Sequence, residues 1–160
     1  GTMGGSVANN DPSACYPSAV LALNATIKTN LRSISSDDYF VGMFETALDS
    51  NEIITQITFP IPDKSAYIKF PNPASRYAMV GVFMAKTGNK VNVAITGASE
   101  NGVFRSSEIE NALTANFTLE SIDGLNISSD GLISDIHASS SYRANLIKEM
   151  AKRALKEIIT

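Results

Sequence analysis

The chain is 160 residues long, with 44% hydrophobic and 18% charged residues and a formal net charge of −3, the composition of a folded globular protein with one medium core or two small ones. Its 13 basic residues are scattered, which argues against a nucleic-acid partner, and neither an apolar run of the roughly 18 residues of a membrane span nor an export leader is read in it, so a cytoplasmic location is expected. The single cysteine, Cys15, excludes an internal disulfide and any cysteine-rich metal or iron–sulfur site, so redox chemistry would need a bound organic cofactor or a partner chain.

The opening stretch, Gly1-Thr2-Met3-Gly4-Gly5-Ser6, places a glycine pair among small and hydroxyl residues. Such a loop lets a backbone approach a ligand and can line up N–H groups around an anion, a phosphate or pyrophosphate above all. Asp11-Pro12 puts a capping carboxylate ahead of a proline, which marks a helix start close to the loop. Tyr16 to Leu23 reads as a short, buried helix of about two turns. Ala25–Thr29 and Leu31–Ile34 alternate as a short hairpin around Asn30, and Ser36–Phe40 reads as a capped helical turn.

Glu52 to Phe59 is the clearest strand of the first half. Alternation sets Ile53, Thr55, Ile57 and Phe59 on one face and Ile54, Gln56 and Thr58 on the other, so a second layer or a ligand should cover Ile54. Pro60-Ile61-Pro62-Asp63 cannot continue a ladder, and a boundary is expected between Pro60 and Ser65. Beyond it, Ala66–Phe70, Tyr77–Ala85 and Val91–Ile95 predict three antiparallel strands, the last two joined at Thr87-Gly88-Asn89. Ser107 with Glu110 reads as a capping box opening a helix to about Asn116. Turns are expected at Asp123-Gly124 and Asp130-Gly131. From Ala138 onward Tyr142, Leu146, Ile147, Met150, Ala154, Leu155 and Ile158 fall on one helical stripe, with the basic residues mostly opposite. The fold class is thus α+β, a partial first lobe followed by a small three-stranded antiparallel sheet packed with helices.

His137, the only histidine, is read as a capping or packing residue beside Asp135, and Arg143 as the partner of a carboxylate. Cys15 is read as a small buried hydrophobe. No Ser/His/Asp arrangement or metal-ligand spacing is present, which sets aside hydrolase and metalloenzyme readings.

Taken in order, Gly4-Gly5-Ser6 with Asn10-Asp11-Pro12, Asp38 to Leu48 with Glu52-Ile53-Ile54, Tyr67-Ile68-Lys69-Phe70 with Pro73 to Val82, and Asp135 to Ser139 with Tyr142-Arg143-Ala144 resemble the flavin-carrying medium subunits of carbon monoxide dehydrogenase and its molybdenum-hydroxylase relatives, xanthine dehydrogenases included. The resemblance implies a two-lobed FAD-binding domain, of which residues 1–62 would be the second lobe, and a C-terminal α+β domain over 63–160. It implies FAD as cofactor, receiving electrons from a molybdenum-cofactor large subunit through an iron–sulfur small subunit and passing them to an external acceptor. Thr2, Gly4, Gly5 and Ser6 look like the second of two glycine-rich loops on the FAD pyrophosphate, and Asn9 and Asp11 sit where that loop continues along the cofactor. Ile54 resembles a position flanking the isoalloxazine, Lys69 the basic residue near the pyrimidine end of the ring, and Tyr77 a residue lying against its face. No residue is assigned a catalytic role and none a metal. Some relatives carry an aspartate in place of Cys15, so a polar contact to the ribityl chain or ribose is expected to be missing.

The resemblance also implies an N-terminal lobe with a first glycine loop ahead of this stretch. By itself the chain is therefore expected to be inactive, to bind FAD weakly or not at all, and to expose apolar surface within residues 1 to 60. The reading set against this is a flavin-free structural or interaction domain of such a complex.

Overall fold

The computed structural model describes residues 1–160. The opening residues fold as a helix, α1 (Met3–Asn9), and not as the open loop their glycines suggest. Thr2 is extended and its Oγ1 accepts the Gly5 N–H at 3.0 Å. That cap, with Val7 fully buried, outweighs the poor helix propensity of two glycines. Asn10 ends the helix at φ 44, a left-handed conformation that asparagine tolerates. Asp11 caps no helix; its Oδ1 accepts the Ser13 N–H in a tight turn, and α2 (Tyr16–Ala22) starts further on with Pro17 in its first turn.

The first sheet has the order β2-β1-β5, formed by β1 (Thr26–Thr29), β2 (Ser33–Ser35) and β5 (Ile54–Thr58), all antiparallel. Between them lie α3 (Ser36–Tyr39) and a small hairpin of β3 (Phe40–Gly42) and β4 (Glu45–Thr46). Strict alternation along β5 does not hold. Lys28 faces Gln56 but Thr29 faces Ile54, so Thr55 is the extra residue of a bulge, its hydroxyl within hydrogen-bonding reach of the Lys28 and Thr29 carbonyls. The bulge turns Ile54 onto the same core as Ile57 and Phe59 and leaves Ile53 66% exposed. Val7, Val20, Ala25, Ile27, Ile34 and Tyr39 are the buried centre of that core. Leu31, Val41, Met43 and Phe44 are exposed, as expected for apolar surface in this part of the chain.

Residues 59–63 carry neither helix nor strand. The second sheet then runs β6-β7-β8-β9, comprising β6 (Lys64–Pro71), β7 (Ala78–Thr87), β8 (Lys90–Thr96) and β9 (Phe104–Arg105), all antiparallel. The two-residue β9 adds a fourth strand to the three expected. α6 (Ser140–Ile159) packs across β6 and β7 and α4 (Ser107–Ala115) on β8, with α5 (Leu119–Asp123) against both helices. α2 lies on β7 and β8 as well, burying Leu21 and Ala22 with Ala94 and Val103. Helices on both faces explain why β7 is a nearly continuous apolar run.

Two local expectations are corrected. The capping box at Ser107 does not form, because Glu110 is taken by the sheet: its Oε1 accepts from Arg105 Nε at 2.5 Å and from the Val93 N–H at 2.7 Å. Ser106 is the N-cap residue instead. His137 is exposed; Asp135 Oδ1 accepts the N–H groups of His137 and Ala138 in the turn before α6, and the cap is Ser139, whose hydroxyl accepts the Tyr142 N–H at 3.2 Å. On α6 the expected stripe is buried from Leu146 to Ile158, while Tyr142 is partly exposed and meets Phe70 edge to face. Lys148 and Lys152, on its outer side, donate to the Asp123 carbonyl and carboxylate respectively and hold α5 in place.

Candidate functional site

The first turn of α1 is bare on its outer side. Met3 and Gly4 occupy positions whose N–H groups have no partner inside a helix. A Cβ built on Gly4 would meet nothing within 4 Å, so nothing in this chain's own packing requires a glycine there. Gly5 differs, since a Cβ would stand 3.1 Å from the Thr2 hydroxyl that caps the helix.

Ser6, on the same helix, lines a groove of about 460 Å³ together with Cys15, Tyr16, Lys69, Arg76 and Tyr77. Lys69 reaches it from β6, its Nζ 3.1 Å from the Arg76 carbonyl oxygen and 3.5 Å from Cys15 Sγ. The opposite wall is the turn after β6. There Asn72 Oδ1 accepts from the N–H groups of Ala74 and Ser75, the Arg76 N–H donates to the Asn72 carbonyl, and Arg76 stands at φ 65. That left-handed residue turns its carbonyl toward Lys69 and leaves Tyr77 54% exposed at the rim.

Behind Lys69, the Tyr67 ring fills the space that Gly81 leaves on β7; a Cβ on Gly81 would come 2.5 Å from the phenol oxygen. Burial, and then the neighbouring Cys15, push the Tyr67 phenol above its ordinary value. A second cleft of about 290 Å³ adjoins the groove, sharing Tyr77 and Ser75 and adding Asp11, Ser13, His137 and Arg143.

Of the residues expected at the site, Ser6, Lys69 and Tyr77 therefore meet at one groove, with Thr2, Gly4 and Gly5 one turn away on α1. Asp11 lines the adjoining cleft. Asn9 is exposed at the end of α1, and its neighbour Asn10 is the residue with a tertiary role, buried and donating to the carbonyls of Gly42 and Glu45 at 2.7 and 2.9 Å. Ile54 lies on the small core and outside the groove lining.

Sequence reasoning passed over Arg76 and Tyr16 as lining residues, and Asn10 and Thr96 as the groove's supports. The Thr96 hydroxyl is shared between the carbonyls of Pro12 and Ala14, 2.7 Å from each, and the Gly97 N–H donates to Pro12 at 2.6 Å. The Asn10-Asp11-Pro12 run was a legible turn signal for Asn10; Arg76 carries none. No group of three or more His, Cys, Asp or Glu side chains is placed to hold a metal ion.

Residues 1–62 match the model of the FAD binding domain in molybdopterin dehydrogenase. Over 99% of its length the chain is 31% identical to the glyceraldehyde dehydrogenase medium chain of Sulfolobus acidocaldarius, covering 61% of that protein. It is 30% identical to the nicotine 6-hydroxylase medium subunit of Paenarthrobacter nicotinovorans, over 98% of this chain and 60% of the relative. A solved carbon monoxide dehydrogenase of Hydrogenophaga pseudoflava, lacking the Mo-pyranopterin moiety of its cofactor, superposes with a TM-score of 0.81 at 25% identity, over 99% of this chain and 61% of that one. The chain thus spans about three fifths of the length of these relatives. No helix is long and apolar enough to cross a membrane. In the match to residues 1–62, in the likeness along the whole chain and in the shared fold, the chain is similar to the FAD-binding medium subunits of carbon monoxide dehydrogenase and related molybdenum hydroxylases.

Proposed function

We propose that this chain is part of the FAD-binding electron-transfer subunit of a cytoplasmic molybdenum hydroxylase, working beside a molybdenum-cofactor large subunit and an iron–sulfur small subunit. In this reading residues 1–62 are one lobe of the flavin domain, residues 63–160 its C-terminal α+β domain, and a further lobe completes the site. The observation that carries it is the position of the groove: it lies between α1, inside the segment matched to the FAD-binding domain, and Lys69 of the second sheet with Tyr77 of the turn that follows β6. The residues present fit the group. Gly4 leaves open space beside unpaired N–H groups, a lysine ammonium stands across the groove, and an aromatic ring is exposed at its rim.

When bound, FAD supplies a ring that takes up and releases electrons. The chain's own part is to hold and orient it. The N–H groups of Met3 and Gly4, with Thr2 keeping the turn closed and Ser6 adding a hydroxyl, would hold the pyrophosphate. Asn9 and Asp11 continue along the cofactor. Lys69 would set a positive charge beside the pyrimidine end, favouring the negatively charged form of the ring, and Tyr77 would offer an aromatic face to it.

The test is a titration with FAD followed by visible absorption, on the chain alone and on the assembled medium subunit. Weak binding alone and tight, yellow-coloured binding in the assembled subunit is the expected result. An assembled subunit that takes up no FAD would overturn the proposal.

A further inference from the structure

Cys15, which the flavin reading leaves without a chemical role, stands against Lys69. Lys69 Nζ lies 3.5 Å from Cys15 Sγ, and its bond to the Arg76 carbonyl holds the amine in place. Both residues are half-buried and line the groove, so a small solute reaches them while bulk solvent does not surround them. The phenol oxygen of Tyr67, in the wall behind this pair, is buried and has no hydrogen-bond partner. The chain has no second cysteine. An oxidised Cys15 therefore cannot be resolved as an internal disulfide, and the nucleophile in contact with it is the Lys69 amine.

We propose that Cys15 and Lys69 form a reversible covalent sulfur–nitrogen cross-link when the chain meets a peroxide. In the first step the Cys15 thiolate attacks one oxygen of hydrogen peroxide; the O–O bond breaks, the sulfur becomes a sulfenic acid, and the other oxygen leaves as water after taking up the thiol proton. In the second, the neutral Lys69 amine attacks that sulfur. The S–N bond forms as the S–O bond breaks, and the hydroxide leaves as water with the amine's proton. One thiol, one amine and one peroxide give one S–N link and two waters; the sulfur loses two electrons and the peroxide gains them. A thiol reductant restores both side chains. The swing of one flexible lysine stem closes the remaining gap.

If the groove takes FAD, a consequence resting on the function proposed above, the cross-link replaces an ammonium by an uncharged group and draws it into the wall, so the oxidised chain loses the cation beside the flavin.

The experiment needs no flavin. The chain is treated with hydrogen peroxide at mildly alkaline pH, and its intact mass and proteolytic peptides are measured before and after dithiothreitol. A joined Cys15–Lys69 peptide pair, with an intact mass lower by about 2 Da and reversal by dithiothreitol, is the expected result. Cys15→Ser and Lys69→Arg, each checked for native circular dichroism, should abolish it. Oxygen added to Cys15 in steps of about 16 Da with no joined pair, in the folded chain, would overturn the proposal. The FAD titration reads the flavin assignment separately: a chain that cross-links but whose assembled subunit binds no FAD refutes that assignment and leaves the cross-link standing.

Discussion

Arg143, only 4% exposed, donates through Nη2 to Asp135 Oδ2 at 2.8 Å. Through Nη1 it also holds the carbonyl oxygens of Met79 and Gly97, at 2.6 and 2.9 Å. One guanidinium thus ties α6 to the start of β7, to the end of β8 and to the turn that precedes α6. Arg143→Met keeps much of the volume but leaves two buried carbonyls without donors. Urea unfolding should show a loss of about 3 kcal/mol, and Asp135→Asn should cost much less because its partner stays paired to the main chain.

The carboxylate of Glu52 is covered by donors close to the surface. Arg32 gives it Nε and Nη2, both at 2.9 Å, with the Asp49 N–H and the Thr29 hydroxyl, also at 2.9 Å each. Those bonds, Arg32 first and the Asp49 N–H second, hold its pKa at about 2, well below the ordinary 4.5. A depressed folded value means the contribution is complete above about pH 4.5 and drains away as the pH falls toward 2. Urea midpoints measured from pH 7 to pH 2 should therefore decline below pH 4.5 more steeply in the parent than in Glu52→Gln. Parallel curves would remove Glu52 from the account.

Asn10 combines a left-handed backbone with two carbonyl acceptors. Asn10→Asp can keep the conformation but can donate to neither Gly42 nor Glu45. The expected cost is about 2 kcal/mol or more in chemical denaturation, and FAD affinity in the assembled subunit should fall with it, since Asn10 fixes where α1 ends.

Gly4 and Gly97 should answer alanine in opposite ways. At Gly4 the added methyl enters open space in a helix, so Gly4→Ala should raise the stability of α1 by about 0.5–1 kcal/mol while weakening FAD binding, a separation that a purely structural glycine would not give. At Gly97, φ is 82 and a Cβ would collide with the carbonyl oxygens of Ala78 and Met79. Gly97→Ala should lose about 2 kcal/mol or more, read from the thermal midpoint.

Lys69→Met, made in the complete complex, removes the cation and keeps the stem. Flavin reduction by substrate should then occur at a lower potential or a slower rate; reduction indistinguishable from the parent would sink the role given to Lys69.

Much of the frame was legible. Helix α2, the β1–β2 hairpin, the β7–β8 turn at Gly88 and the buried stripe of α6 follow from periodicity and turn chemistry. The misreadings have identifiable causes. Two glycines said loop, but one threonine cap and a buried Val7 made a helix. Alternation put Ile54 opposite Ile57, but a bulge at Thr55 depends on the register against β1, which no local pattern contains. Ser107 and Glu110 had the spacing of a capping box, yet a sheet edge and Arg105 competed for the carboxylate and won. At the site, the resemblance supplied Lys69 and Tyr77, whereas the left-handed Arg76 and the Thr96 hydroxyl shared by two carbonyls arise only where distant segments meet.

Glu110 has one more consequence. Beyond the two residues of β9, β8 would present a free N–H at Val93, but the Glu110 carboxylate occupies it and is itself locked to Arg105. A foreign strand seeking to extend the sheet there would have to evict an ion pair and strand two charges, so this flank of the sheet is closed to edge-to-edge aggregation.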